Sequence, residues 1–100
     1  MVYEIHWLRR ASNELEAIFQ FYNHLAGEKV AKNWVGLIIH AVKQLEVMPY
    51  LGRVDEEFVH IRQYRYLVVL RYKVYYFLEN GKVFIASVWD CRQGNRTFDD

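Results

Sequence analysis

The sequence predicts one α+β domain across residues 1–100. An N-terminal strand leads into an antiparallel helical hairpin and then a three-stranded antiparallel meander, forming one sheet with the helices packed on one face. Three observations predict it. Apolar residues alternate with a period of two at the start and recur at three- and four-residue steps from Ala11 to Met48. Dense Val, Leu and Tyr runs then flank an Asn80-Gly81 dipeptide.

Val2 to Leu8 sets Tyr3, Ile5 and Trp7 against Glu4 and His6, the alternation of a half-buried strand. From Arg9 onward Ala11, Leu15, Ile18, Tyr22 and Leu25 share one helical stripe, and Gly27 can take the left-handed conformation that closes a helix. A second helix starts near Glu28 and carries Val30, Trp34, Leu37, Ile38, Ala41, Leu45 and Met48 on one side. Pro49 cannot continue its hydrogen-bond ladder, so the helix ends by Met48. A link this short makes the helices antiparallel neighbours. Pro49 to Arg53 reads as a turn, and Asp55-Glu56-Glu57 as a solvated loop or weak edge segment.

The runs Tyr66–Leu70 and Tyr72–Leu78 are strands, and Asn80-Gly81 between Glu79 and Lys82 signals a two-residue type I′ hairpin. Counting outward pairs Glu79 with Lys82, Tyr76 with Ile85, Tyr75 with Ala86 and Tyr72 with Trp89. Side-chain alternation then gives a core face of Tyr72, Val74, Tyr76, Leu78, Val83, Ile85, Ser87 and Trp89. The opposite face, carrying Arg71, Lys73, Tyr75, Phe77, Phe84, Ala86, Val88 and Asp90, reads as an open surface that displays aromatics. Gly94 to Asp100 reads as a tail, frayed or ordered by a partner.

Composition excludes several functional classes. With 53% hydrophobic residues and 25% charged, the chain has ample material for a core and is not a disordered segment. A net charge of +1 excludes a uniformly basic nucleic-acid binder. Cys91 is the only cysteine, so neither a disulfide framework nor a multi-cysteine zinc site can form, which suits a reducing cytosol. No apolar run is long enough for a membrane helix, and Glu4 and His6 interrupt any signal-like stretch; a cytoplasmic location without membrane contact is expected. His6, His24, His40 and His60 lack metal-pair spacing, neither Ser12 nor Ser87 sits in a nucleophile elbow, and Glu14 and Glu16 do not share a helix face. Neither metal nor cofactor is expected.

Local charge says more than the total. Between Phe58 and Arg96 seven basic residues, Arg62, Arg65, Arg71, Lys73, Lys82, Arg92 and Arg96, face only the acids Glu79 and Asp90, interleaved with aromatics. Arginine forks and aromatic area suit either a phosphate backbone or an acidic protein segment. Arg62, Arg65, Arg71, Lys73, Tyr75, Arg92 and Arg96 are therefore the expected binding residues.

The element order, with Arg10-Ala11, Leu15 and Ile18 in the first helix, Pro49-Tyr50-Leu51-Gly52-Arg53, Tyr64 to Val69, Tyr72 to Tyr76 and Val88-Trp89-Asp90-Cys91-Arg92, resembles the RelE/ParE superfamily of bacterial type II toxins. The resemblance covers nearly the whole chain. It implies neutralisation by a cognate antitoxin, which wraps its C-terminal segment round the toxin in a hetero-oligomer, and one of two targets. RelE-like members cut messenger RNA on the ribosome; ParE-like members poison DNA gyrase. For a nuclease, the resemblance would give Arg65 and Arg92 charge-stabilising roles, with Lys73 nearby on the same surface, and Tyr75 or His60 would have to substitute for the family's acid and base. The stretch Gln93 to Phe98 contains no Tyr or His, where such nucleases often keep one, and the near-neutral total is unlike a ribosome-docking protein. A ParE-like, non-enzymatic gyrase inhibitor is the expected class. The alternatives are the nuclease and a degenerate member that only binds its antitoxin.

Overall fold

In the computed structural model, which describes residues 2–57, 62–94 and 96, the opening alternation forms β1 (Glu4–Trp7). Two helices follow, α1 (Arg9–Ala26) and α2 (Glu28–Lys43), separated by Gly27 alone at φ 96°. That left-handed value is one a side chain rarely adopts, so the chain reverses where glycine stands. The α-helical ladder of α2 stops at Lys43 rather than running on to Met48: Gln44–Glu46 tighten into a 3₁₀ turn before Pro49 is reached.

Ala11, Ile18 and Tyr22 of α1 and Ala31, Ile38 and Val42 of α2 are buried against Val74, Tyr76, Val83 and Ile85 of the sheet, so both helices cover one face. Leu25 and Leu37 of the predicted stripes are exposed.

The remaining strands are β2 (Arg53–Val54), β3 (Arg65–Val69), β4 (Tyr72–Glu79) and β5 (Lys82–Asp90), in the spatial order β1-β5-β4-β3-β2. The meander is antiparallel as predicted. β1 joins it in parallel, Glu4 opposite Lys82 and Trp7 opposite Ile85, because the helical hairpin returns the chain across the face rather than along the edge. The turn predicted from Pro49 to Arg53 ends in β2, which adds a two-residue fifth strand.

Asn80 and Gly81 sit at φ 53° and 72°, the pair a type I′ turn requires, and the register runs as predicted from Glu79↔Lys82 to Tyr76↔Ile85. Ala86 is then bulged out. Tyr75 faces Ser87, Val74 faces Val88 and Tyr72 faces Asp90, each one residue beyond the predicted partner. Val88 therefore joins the core beneath the helices, whereas Trp89, predicted there, packs on the opposite face. That face is not the open surface expected. Tyr64, Tyr75, Phe77 and Ala86 are buried in a second apolar cluster with Tyr66, Phe84 and Trp89, and the Phe77 and Phe84 rings stack with centroids 5.1 Å apart.

β5 has a neighbour on its outer side only as far as Ile85, whose carbonyl accepts the Leu8 amide. Beyond that point a helix side chain serves instead: Glu14 Oε1 accepts from Ser87 Oγ at 2.8 Å and from the Val88 amide at 3.0 Å.

Candidate protein-binding surface

Arg65 opens β3, yet its guanidinium is not displayed on the sheet face. Its Nη1 donates to the Gly52 carbonyl at 2.9 Å, and its charge lies over the Tyr50 ring at 5.0 Å. The turn it holds is fixed from below as well. The Gly52 amide donates to Tyr76 Oη at 2.7 Å, and the Tyr76 hydroxyl donates to the Pro49 carbonyl at 2.8 Å. Burial pushes the Tyr76 phenol up, so it keeps the proton that this second bond needs. Tyr3, just before β1, adds an anchor, its amide donating to Glu46 and its phenol hydrogen-bonding Tyr50. The Pro-x-Leu-Gly-Arg stretch is thus a rigid turn bonded to β3, to β4 and to the residue that precedes β1.

Arg62 lies over Phe77 at 4.1 Å and, with Tyr50 and Arg65, lines a cavity of about 240 Å³. Lys73 lies over Tyr66 at 4.7 Å, and both line a separate hollow with Arg53, Asp55, Glu56 and Glu57. The acids read as a solvated loop therefore line the same hollow as Lys73. Tyr75 is only 1% exposed, and burial pushes its phenol up to about 12, so it cannot present a base to a substrate at neutral pH. Arg96 lies over Trp89 at 4.7 Å. His60, the other acid or base candidate, lies outside the described residues, as do Phe58 and most of the tail after Gly94.

Arg71 was expected beside Lys73 on the open face. It belongs instead to the Leu70-Arg71 turn, where Leu70 has φ 57°, and its guanidinium lies among the rings of Tyr22, Trp34 and Tyr72 at the helical end of the molecule. Arg92, in a 3₁₀ turn (Cys91–Gln93), pairs with Asp90 at 2.9 Å, while Arg71 Nε approaches the same carboxylate at 3.8 Å. The expected basic residues thus divide among three locations, around Tyr50, Lys73 and Asp90, with Arg96 apart on Trp89.

The Arg92 side chain holds the Asp90 carboxyl below the usual carboxylate range. A depressed folded value means that the pairing stabilises the protein at any pH above the ordinary carboxylate pKa and is lost as pH falls through the folded one. Asp90→Asn should therefore flatten the acid limb of a Tm-against-pH curve, below the ordinary carboxylate range, relative to wild type.

Two further surfaces carry no charge signal and were not predicted residue by residue. Trp7, Leu15, Phe19, Val35 and Ile39 line an apolar groove of about 550 Å³ along the helical hairpin. Val35 and Ile39 fall outside the α2 stripe read from sequence, and Ile39 is half exposed, which is the signal that marks them. The second surface is the edge of β3. β2 pairs only with Arg65 and Tyr66, so among the described residues Leu67–Val69 have a strand on one side alone.

The family model of the ParE toxin of the type II toxin–antitoxin system, parDE, matches residues 5–94. The chain belongs to the ParE toxin family. Its match runs from β1 to the end of the Cys91–Gln93 turn and takes in the Pro49–Arg53 turn, Arg65 and Arg92; Arg96 falls outside it. This ParE-family chain also superposes on a structure described as a chromosomal ParDE toxin–antitoxin system from P. aeruginosa. The TM-score is 0.76 at 22% identity, covering 89% of this chain and 96% of that one, which establishes the shared fold. No curated protein sequence matches it. Among the described residues, no helix of this ParE-type toxin is long and apolar enough to cross a membrane, and no group of three His, Cys, Asp or Glu could hold a metal ion.

Proposed function

We propose that this ParE-type toxin arrests growth in the cytoplasm by binding DNA gyrase, and that a cognate antitoxin silences it by covering the helical hairpin. One observation carries the choice of a protein target over ribosomal message: Arg65, the residue a nuclease would aim at a phosphate, is committed to the Gly52 carbonyl and the Tyr50 ring. Buried Tyr75 supports the same reading, since it offers no accessible base.

The antitoxin has two complementary sites. An amphipathic helix fits the Trp7–Phe19–Ile39 groove, and an extended segment can add its backbone to the edge at Leu67–Val69. Purified toxin should inhibit gyrase supercoiling, leave ribosome-bound message intact, and lose its inhibition when the product of the adjacent reading frame is added at micromolar concentration. Cleavage of message without effect on supercoiling would transfer the activity to the ribosome. In that case replacing both Arg65 and Arg92 by Ala should abolish growth arrest in a folded protein.

A further inference from the structure

The segment between α2 and β2 shows its apolar residues to water while being held rigid. Val47 and Tyr50 are about two-thirds exposed, Met48 and Leu51 about half, and Val2, whose neighbour Tyr3 is bonded to Glu46, is exposed beside them. Burial cannot be the reason for these side chains. A contiguous exposed apolar patch rimmed by charge marks an interaction site on a small folded protein.

Rigidity sharpens the inference. Pro49 and Gly52 are bonded to a fully buried tyrosine, Gly52 also accepts from Arg65, and the Leu51 amide closes on the Met48 carbonyl at 3.1 Å. Most exposed loops leave their conformational entropy to be lost on binding, whereas this one has lost it on folding. Preorganisation of that kind raises affinity without adding contacts. Tyrosine, methionine and arginine are also the residues enriched at interface centres.

The rim identifies the occupant. Arg62 lines the cavity beside Tyr50 and the Arg65 that braces the turn, with Glu79 as the acid among its described lining residues, and Arg53 follows the turn directly. Arg65 occupies one face of the Tyr50 ring, and Val47, Met48 and Leu51 offer a nucleic acid neither a stacking face nor a cation for its phosphates. We infer that the Val47–Leu51 turn, with the cavity that Arg62 lines beside it, docks an acidic, apolar segment of the toxin's protein target, at a place separate from the antitoxin groove. This rests on the reading of the protein as a toxin with a protein target.

The test compares Met48→Asp, Leu51→Asp and Arg62→Glu with wild type in three measurements: growth arrest on expression, gyrase inhibition in vitro, and affinity for the antitoxin. The two aspartates replace exposed side chains, and circular dichroism confirms that each variant is folded. The expected result is loss of growth arrest and a rise of about tenfold or more in the concentration needed to inhibit gyrase. Antitoxin affinity stays within about twofold of wild type, the range of an exposed substitution outside an interface. Folded variants that arrest growth as wild type does overturn the inference. So does an equal loss of antitoxin affinity, which would place the turn in that interface, and so does binding of a labelled RNA oligonucleotide that Arg62→Glu abolishes. A wild-type chain that arrests growth without inhibiting gyrase overturns gyrase as target, and the growth-arrest comparison still decides the docking site. One that arrests nothing overturns both.

Discussion

Gly52→Ala should destabilise the protein by about 3 kcal/mol and lower its Tm by about 15 °C. A Cβ placed on Gly52 would fall 2.6 Å from both Cε1 and Oη of Tyr76, inside any real carbon contact. Tyr76 cannot yield cheaply. It is fully buried, and its hydroxyl simultaneously accepts from Gly52 and donates to Pro49, so moving the ring breaks both bonds and leaves the Gly52 amide and the Pro49 carbonyl without that partner. The size of the effect combines overpacking with the desolvation cost of polar groups that have lost their partners. Thermal and urea melts measure it directly. The same change at Gly36, where nothing lies within 4 Å of the added carbon, should leave the Tm unchanged or raise it. A Gly52→Ala protein that melted with wild type would show that the turn is not fixed by Tyr76.

Glu14→Ala should cost about 3 kcal/mol as well, through a different part of the fold. The Glu14 carboxylate occupies the edge of β5 where β1 has already ended, and it satisfies both the hydroxyl of fully buried Ser87 and the Val88 amide next to the bulge. Alanine removes the acceptor and abandons two donors, both on buried residues. Glu14→Gln keeps a carbonyl oxygen in reach and should cost only about 1 kcal/mol, the difference between a charged and a neutral acceptor. In a double-mutant cycle Glu14→Ala and Ser87→Ala should sum to less than their separate costs, because each deletes the same bond. Strictly additive costs in equilibrium melts would refute the coupling.

The strand, the helical hairpin, the type I′ turn and the antiparallel meander were all legible, because each is announced by local chemistry: a period of two, a period of 3.6, Gly27, Pro49, Asn80-Gly81. What could not be read came from contacts between distant residues. A register counted from Asn80-Gly81 holds only while both strands advance one residue per pair, and Ala86 breaks that rule where Glu14, 72 residues earlier in the chain, meets β5. That bulge moved Trp89 and Val88 to opposite faces. Arg71 was misplaced for a related reason. The count treated it as a ladder residue, whereas the tight turn at Leu70 takes it out of the sheet. The basic residues are visible in the sequence but their grouping is not, since composition along a chain says nothing of which guanidinium has an aromatic ring or a carbonyl already beneath it. Tyr76 read as core and is core; that its hydroxyl also anchors Pro49 and Gly52 is a property of the tertiary structure.

The parallel pairing of β1 with β5 also sets the order in which this protein can come into being. Glu4 to Trp7 find their partners only in Lys82 to Ile85, and β4, the other neighbour of β5, is likewise incomplete until that strand exists. Closing so long a loop is a late event, because its entropic cost precedes any reward from the pairing. A nascent chain that has emerged only as far as β3 therefore has helices with no complete sheet to cover. β5, the last strand made, is the one on which both β1 and β4 depend, so the sheet is completed only when the chain's final strand arrives between them.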